Sequence, residues 1–175
     1  MIKKQTCQDG FTLVEILVSL LILSIGMLGM AGIQFSGLRN SATSTYRTDA
    51  TQLSCDIADF MRANKMAVSS NDFATISYSY SDTLTDPQKS CLQATTTATV
   101  TSCTASEMAL VNLYDWVTRA RQKLPNASVS VQCNDLDTTD TDTCTDNSTH
   151  AITLSWDENV DGQVGTSTFS YTFRP

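Results

Sequence analysis

The sequence predicts an α+β fold: a long N-terminal helix, apolar in its first half and amphipathic in its second, with the second half laid against an antiparallel sheet. Three observations predict it. From Phe11 to Phe35 the chain reads FTLVEILVSLLILSIGMLGMAGIQF, with a single charge at Glu15. Tyr46, Ala50, Leu53, Ile57, Phe60 and Met61 then recur at helical spacing and make one apolar stripe, with Asp49, Asp56, Asp59 and Arg62 largely off it. The C-terminal part alternates apolar and polar residues in short segments, as half-buried strands do. At 175 residues the length suits one domain, or one domain plus an appendage.

The apolar run comes first. At about 1.5 Å per residue, roughly 20 such residues cross a bilayer as a helix. A core helix would carry a polar stripe, and this segment has almost none. Lys3 and Lys4 precede it and the next base is Arg39, so the more basic flank keeps the N-terminus in the cytoplasm and the bulk of the chain outside. A secretory signal places its small-residue cleavage site after the apolar stretch. Here the polar decapeptide MIKKQTCQDG comes before it, and the small-residue junction Gly10-Phe11 lies at its cytoplasmic edge. A cut there leaves the hydrophobic helix on the mature chain.

At this junction GFTLVEILVSLLILSIGMLGMAG resembles the N-terminus of a type IV pilin or pseudopilin. That family has a short basic leader ending in Gly, then Phe, then Glu at the fifth mature position, matched here by Gly10, Phe11 and Glu15. The resemblance implies that a prepilin peptidase cuts after Gly10 and methylates the new amine of Phe11. It also implies that Glu15 meets the Phe11 amine of a neighbouring subunit as a filament grows. Two later stretches, ATQLSCDIADFMRANKMA at 50–67 and ASEMALVNLYDWVTRARQKLP at 105–125, are similar to minor pilins of the PilV group. The implied fold is type IV pilin-like. The implied divisions are a leader at 1–10, a transmembrane or filament-core helix half at 11–35, an amphipathic half at 36–67, and a globular α+β head at 68–175.

The implied role is a structural minor pilin in type IV pilus assembly or initiation, with the tip as one position for it. Its implied partners are other minor pilins, the major pilin, the prepilin peptidase, an inner-membrane assembly platform and a large tip adhesin. It would sit as a single-pass inner-membrane protein with a periplasmic head before assembly, and in an extracellular pilus afterwards. A type II secretion pseudopilin shares the same N-terminus. A filament-displayed adhesin or DNA-uptake module is the third reading.

No proline occurs before Pro87, so the helix is expected to run on to Ala67, about 80 Å in all. Gly26, Gly29 and Gly32 each cost it about 1 kcal/mol relative to Ala. Close helix packing accounts for them; a hinge, the reading the resemblance imports, is the alternative. In the head, ATISYSY at 74–80 and TTTATV at 95–100 are candidate strands. Thr104 and Glu107 have capping-box spacing before a helix whose face is Leu113, Val117, Ala120 and Leu124 and whose end is marked by Pro125. Trp116 and Tyr114 flank that face as packing anchors. SVSVQ at 128–132, ITLSW at 152–156 and TFSYTF at 168–173 alternate as strands, the last two forming a hairpin across DENVDGQVG.

Of six cysteines, Cys7 leaves with the leader, and the remaining five cannot all pair within one chain. Cys91 with Cys103 and Cys133 with Cys144 are near neighbours that close short loops, which leaves Cys55 as a buried free thiol. Zinc finds little support, with no C-x-x-C pair and one histidine. Asp157, Asn159 and Asp161 match the first half of a calcium loop, but Thr168 stands where a bidentate Glu is needed. An Asp-Gly hairpin turn explains the segment better.

Eighteen acids against eleven bases, net charge −7, argue against a nucleic-acid scaffold, which needs a basic face. Arg119, Arg121 and Lys123 form one small basic patch, expected to be a solvated helix face. His150, the sole histidine, is expected at the surface, with no nucleophile motif beside it. No enzyme chemistry and no cofactor are expected.

Overall fold

The computed structural model describes residues 10–88, 91, 102–136, 144, 148–160 and 163–175. The chain divides into two compact units, Met1–Ala42 and Thr43–Pro175. The first helix, α1, runs Leu13–Ala63 and passes through both.

In the first unit, α1 carries an apolar window of mean hydropathy 2.4, none of it buried within the chain. Length and composition therefore suffice for a membrane span. Its hydroxyls are satisfied locally: Ser19 Oγ donates to the Ile16 carbonyl at 2.9 Å and Ser24 Oγ to that of Leu20 at 2.7 Å. Such back-bonding lets serine sit on a lipid-facing helix without an orphaned donor.

The second unit holds the core. The helix stripe behaves as its spacing predicts: Ala50, Leu53, Ile57 and Met61 are buried, and Tyr46 and Phe60 pack partly against them. α1 stops at Ala63, short of the expected Ala67, and no proline is involved. Asn64 leaves helical geometry at φ −118°, ψ 63° and caps a short second helix, α2 (Lys65–Ser69), by accepting from the Ala67 N–H at 3.3 Å. Its Nδ2 donates to the Ala105 carbonyl at 2.7 Å, so one amide both ends α1 and ties it to the next helix. Asparagine suits this position because its side chain competes with the helix ladder for backbone bonds.

That next helix, α3 (Ala105–Lys123), opens with the capping box: the Thr104 hydroxyl accepts from the Glu107 N–H at 3.3 Å, and the Thr104 N–H donates to Glu107 Oε2 at 3.0 Å. After it the chain turns through Asn126 in the left-handed region, φ 49°, a conformation asparagine tolerates. Trp116 on α3 is fully buried, and its indole N–H donates to the Leu53 carbonyl at 2.8 Å.

Four strands form one antiparallel sheet in the order β1 (Thr75–Tyr78), β2 (Ser128–Asn134), β3 (Thr149–Val160), β4 (Gln163–Phe173). β1 is shorter than the expected 74–80, while β3 and β4 outrun their apolar cores. They pair as far as Val160 opposite Gln163. The expected nine-residue loop is thus mostly strand. The strand expected at 95–100 lies outside the described residues.

One sheet face presents Ile76, Val129, Val131, Ile152, Leu154, Trp156 and Phe173 to the helices as a continuous core. The other is a field of hydroxyls in register: Ser77, Ser130, Thr153 and Ser170 form one row across all four strands, and Ser128, Ser155 and Thr168 a second. Thr153 and Ser170 approach to 3.4 Å, Ser155 and Thr168 to 3.2 Å.

Candidate functional site

The Gly10–Phe11 junction is exposed. Gly10, Phe11 and Thr12 precede the helix, and Phe11 is 81% exposed. A protease needs extended backbone, and a helix that began earlier would withhold it. Thr12 sets the start: its Oγ1 accepts from the Glu15 N–H at 3.4 Å, and its carbonyl from the same N–H at 3.1 Å. Glu15 therefore lies in the first turn with an exposed side chain, where negative charge favours the helix dipole. The T-x-x-E spacing of Thr12 and Glu15 is a start signal that the reading of Glu15 as a lone acid passes over.

At Gly26, Gly29 and Gly32 an added Cβ would meet nothing within 4 Å. Among the described residues nothing calls for three small residues there.

The basic residues of α3 are not a free patch. Arg119 pairs with Asp56 at 2.9 Å, Lys123 with Asp49 at 2.9 Å, and Arg121 donates to the Ser79 carbonyl at 2.6 Å. The acids off the α1 stripe and the bases of α3 are two sides of one interface. The expected face is partly solvated, with the Arg119 and Lys123 side chains 39% and 38% exposed, but its cations are paired.

Two cysteine pairs are bridged, Cys91–Cys103 with Cα atoms 5.7 Å apart and Cys133–Cys144 at 6.1 Å. Cys55 is free, but it is exposed rather than buried. Two residues beyond Leu53, it turns about 200° from the stripe and faces away from the core.

His150 is not at the surface. β3 begins at Thr149, so His150 shares strand parity with Ile152, Leu154 and Trp156 and points inward at 2% exposure. It sits opposite Cys133 in the β2–β3 register, and its Nε2 lies 3.6 Å from Cys144 Sγ. Burial pushes the imidazole below its ordinary pKa, and its Nδ1 has no hydrogen-bond partner among the described residues. The register of β2 and β3 sets Cys133 beside His150, a pairing that no local spacing reveals.

Glu158, buried near the end of β3, accepts from the Ser167 hydroxyl. That bond, the Thr43 hydroxyl and the attraction of Arg47 hold its carboxyl below the usual range against the opposing effect of burial. Asp157 accepts from Asn126 Nδ2 at 2.7 Å, and it and Asn159 lie in paired strand rather than in a loop; Asp161, the third calcium candidate, lies outside the described residues. A cleft of about 390 Å³ beside the α1–α2 break is lined by Phe60, Asn64, Thr104, Met108 and Asn112 among others, with no charged side chain.

Residues 6–31 match the family model described as the prokaryotic N-terminal methylation motif. No curated protein and no solved structure matches the chain. The match takes in Gly10, Phe11, Glu15, Gly26 and Gly29, and it makes the N-terminus similar to that of type IV pilin-like and pseudopilin precursors. It fits an N-terminal membrane anchor before assembly and points to a structural rather than a catalytic protein.

Proposed function

We propose that this chain is a minor pilin: a structural subunit that takes part in type IV pilus assembly and initiation, cut after Gly10 and methylated at the Phe11 amine. The observation that carries the reading is the coincidence of the methylation motif at 6–31 with an accessible Gly10–Phe11 junction and a helix whose apolar window has no partner among the described residues. That surface suits lipid before assembly and neighbouring helices afterwards. Its partners on this reading are other minor pilins, the major pilin, the prepilin peptidase and the inner-membrane platform. The MRAN segment at 61–64 and the Asp115-Trp116 segment favour the PilV-like minor pilin over a secretion pseudopilin. A DNA-uptake role is disfavoured by the engagement of Arg119, Arg121 and Lys123 with Asp56, Ser79 and Asp49.

Glu15 carries the assembly step. An ionised side chain at the centre of a membrane helix costs about 2.5–3.5 kcal/mol, less near an interface. Cleavage creates a cationic amine at Phe11, and in a filament core that amine on a neighbouring subunit offsets the cost of the Glu15 carboxylate. Glu15→Leu is expected to insert in the membrane and to be cut after Gly10, yet to enter filaments poorly. Cell fractionation and immunoblotting of sheared pili measure these separately, and wild-type levels in the sheared fraction would reduce Glu15 to a helix-start residue. Deletion of the gene, scored for surface pili, twitching and protein secretion, separates the pilus role from a secretion role.

A further inference from the structure

We propose that Cys133, Cys144 and His150 form a thiolate–imidazole binding site for a soft divalent cation of the zinc type, opened when the Cys133–Cys144 disulfide is reduced. The donor atoms of the three residues lie within 4.8 Å of one another. In a tetrahedral site with Zn–S near 2.3 Å and Zn–N near 2.0 Å, neighbouring donors stand about 3.5–3.8 Å apart. The separation of His150 Nε2 from Cys144 Sγ, 3.6 Å, already has that value. The two sulfurs must move apart, and breaking their bond permits it. Cys133 and His150 are directly paired positions on β2 and β3, so the sheet register fixes two of the three ligands before any metal arrives.

The imidazole is buried beside sulfur, with Nε2 the nitrogen 3.6 Å from Cys144 Sγ. His150 is 2% exposed and its Nδ1 has no partner among the described residues. A buried polar atom left unpaired costs stability, and an apolar side chain beside Phe173 would avoid it. Strand geometry, rather than a polar network, holds the ring against sulfur. Three protein ligands leave a fourth position open to water, as in zinc sites that are not closed structural centres.

The chemistry balances with a dithiol reductant. It supplies two electrons and two protons, the S–S bond breaks, two protein thiols form, and the reductant closes to its own disulfide. Zn²⁺ then replaces the two thiol protons, which pass to solvent, and takes one imidazole nitrogen. Disulfide and metal site are alternative states of the same residues, chosen by the thiol poise and the free metal.

The test uses the full chain in detergent, reduced with a dithiol, freed of excess reductant and kept without oxygen, with Zn²⁺ alone as the probe. Alkylation followed by mass spectrometry reads each cysteine. Zn²⁺ is expected to slow alkylation of Cys133 and Cys144 by at least about tenfold, with Cys7, Cys55, Cys91 and Cys103 little changed, since ligated thiolate is withdrawn from reaction. Equal protection of all cysteines, or of none, overturns the proposal. In a Co²⁺ titration read by its tetrahedral thiolate bands, His150→Ala is expected to weaken binding at least about tenfold, and a Cys91→Ser, Cys103→Ser double variant to leave it unchanged. Unchanged affinity in His150→Ala also overturns it. Should that variant fail to fold, the alkylation of the wild-type chain decides alone.

Discussion

Both tryptophans are buried, Trp116 at 0% exposure and Trp156 at 2%, but among the described residues only one indole N–H has a partner. The Trp116 indole N–H donates to the Leu53 carbonyl at 2.8 Å, whereas the Trp156 Nε1 has none among the described residues. Replacing each in turn by Phe removes the same atoms, so the cost of the smaller ring is common to both. The difference lies in the N–H. In Trp116→Phe a satisfied bond is lost, costing about 1 kcal/mol, while the Leu53 carbonyl keeps its acceptor role in the α1 ladder. In Trp156→Phe an unsatisfied buried donor is removed, which relieves about 1–3 kcal/mol. Trp116→Phe should therefore be the less stable variant by about 2–4 kcal/mol, a gap of at least roughly 6 °C in Tm for a unit of this size. Thermal unfolding of the oxidised chain, followed by circular dichroism, measures it. Each variant keeps one indole as a fluorescence reporter. Equal Tm values, or a larger loss in Trp156→Phe, would refute the reasoning that hydrogen bonding separates the two sites.

Three further outcomes are expected. Asn64→Ala, which removes both the α2 cap and the bond to the Ala105 carbonyl, should cost about 1–2 kcal/mol in denaturant unfolding; Asn64→Asp, which keeps only the cap acceptor, should fall between. Glu158, whose folded pKa lies below its unfolded value, contributes stability above the unfolded pKa that is lost as pH falls through the folded one. Glu158→Gln should flatten that acid-side decline, visible in Tm measured between about pH 5 and pH 3. Changing Gly26, Gly29 and Gly32 together to Ala should favour helix by about 3 kcal/mol in sum. Reduced recovery of this variant in sheared pili supports a hinge, and normal recovery supports packing alone.

Helix periodicity and alternation were strong enough to read most of the fold from the sequence. The stripe Ala50–Leu53–Ile57–Met61, the capping box at Thr104 and the strands around Val129, Ile152 and Phe169 stand where local pattern puts them. What escaped depended on partners distant in the chain. Asn64 ends α1 because Ala105 offers its carbonyl from across the fold, and no proline announces the break. Arg119 and Lys123 read as a basic face until Asp56 and Asp49 arrive from α1. His150 was legible in principle, since it has the parity of Ile152, Leu154 and Trp156, but the apolar run that marks the strand begins after it. Its meeting with Cys144 depends on tertiary register and has no local signature.

The outward rows of serine and threonine on the sheet have a consequence for how this face behaves in changing surroundings. Apart from Asp157, the described residues that alternate outward along β1 to β4 carry no ionisable group, while the chain as a whole bears a net charge of −7. Hydroxyls neither titrate in the physiological range nor gather counterions, so neither acidification nor added salt alters this face as it alters a carboxylate-rich one. Each side chain has a single rotor before its hydroxyl and loses little freedom when held. The face is therefore a constant in the molecule, offering the same mixture of donors and acceptors in dilute water and in brine.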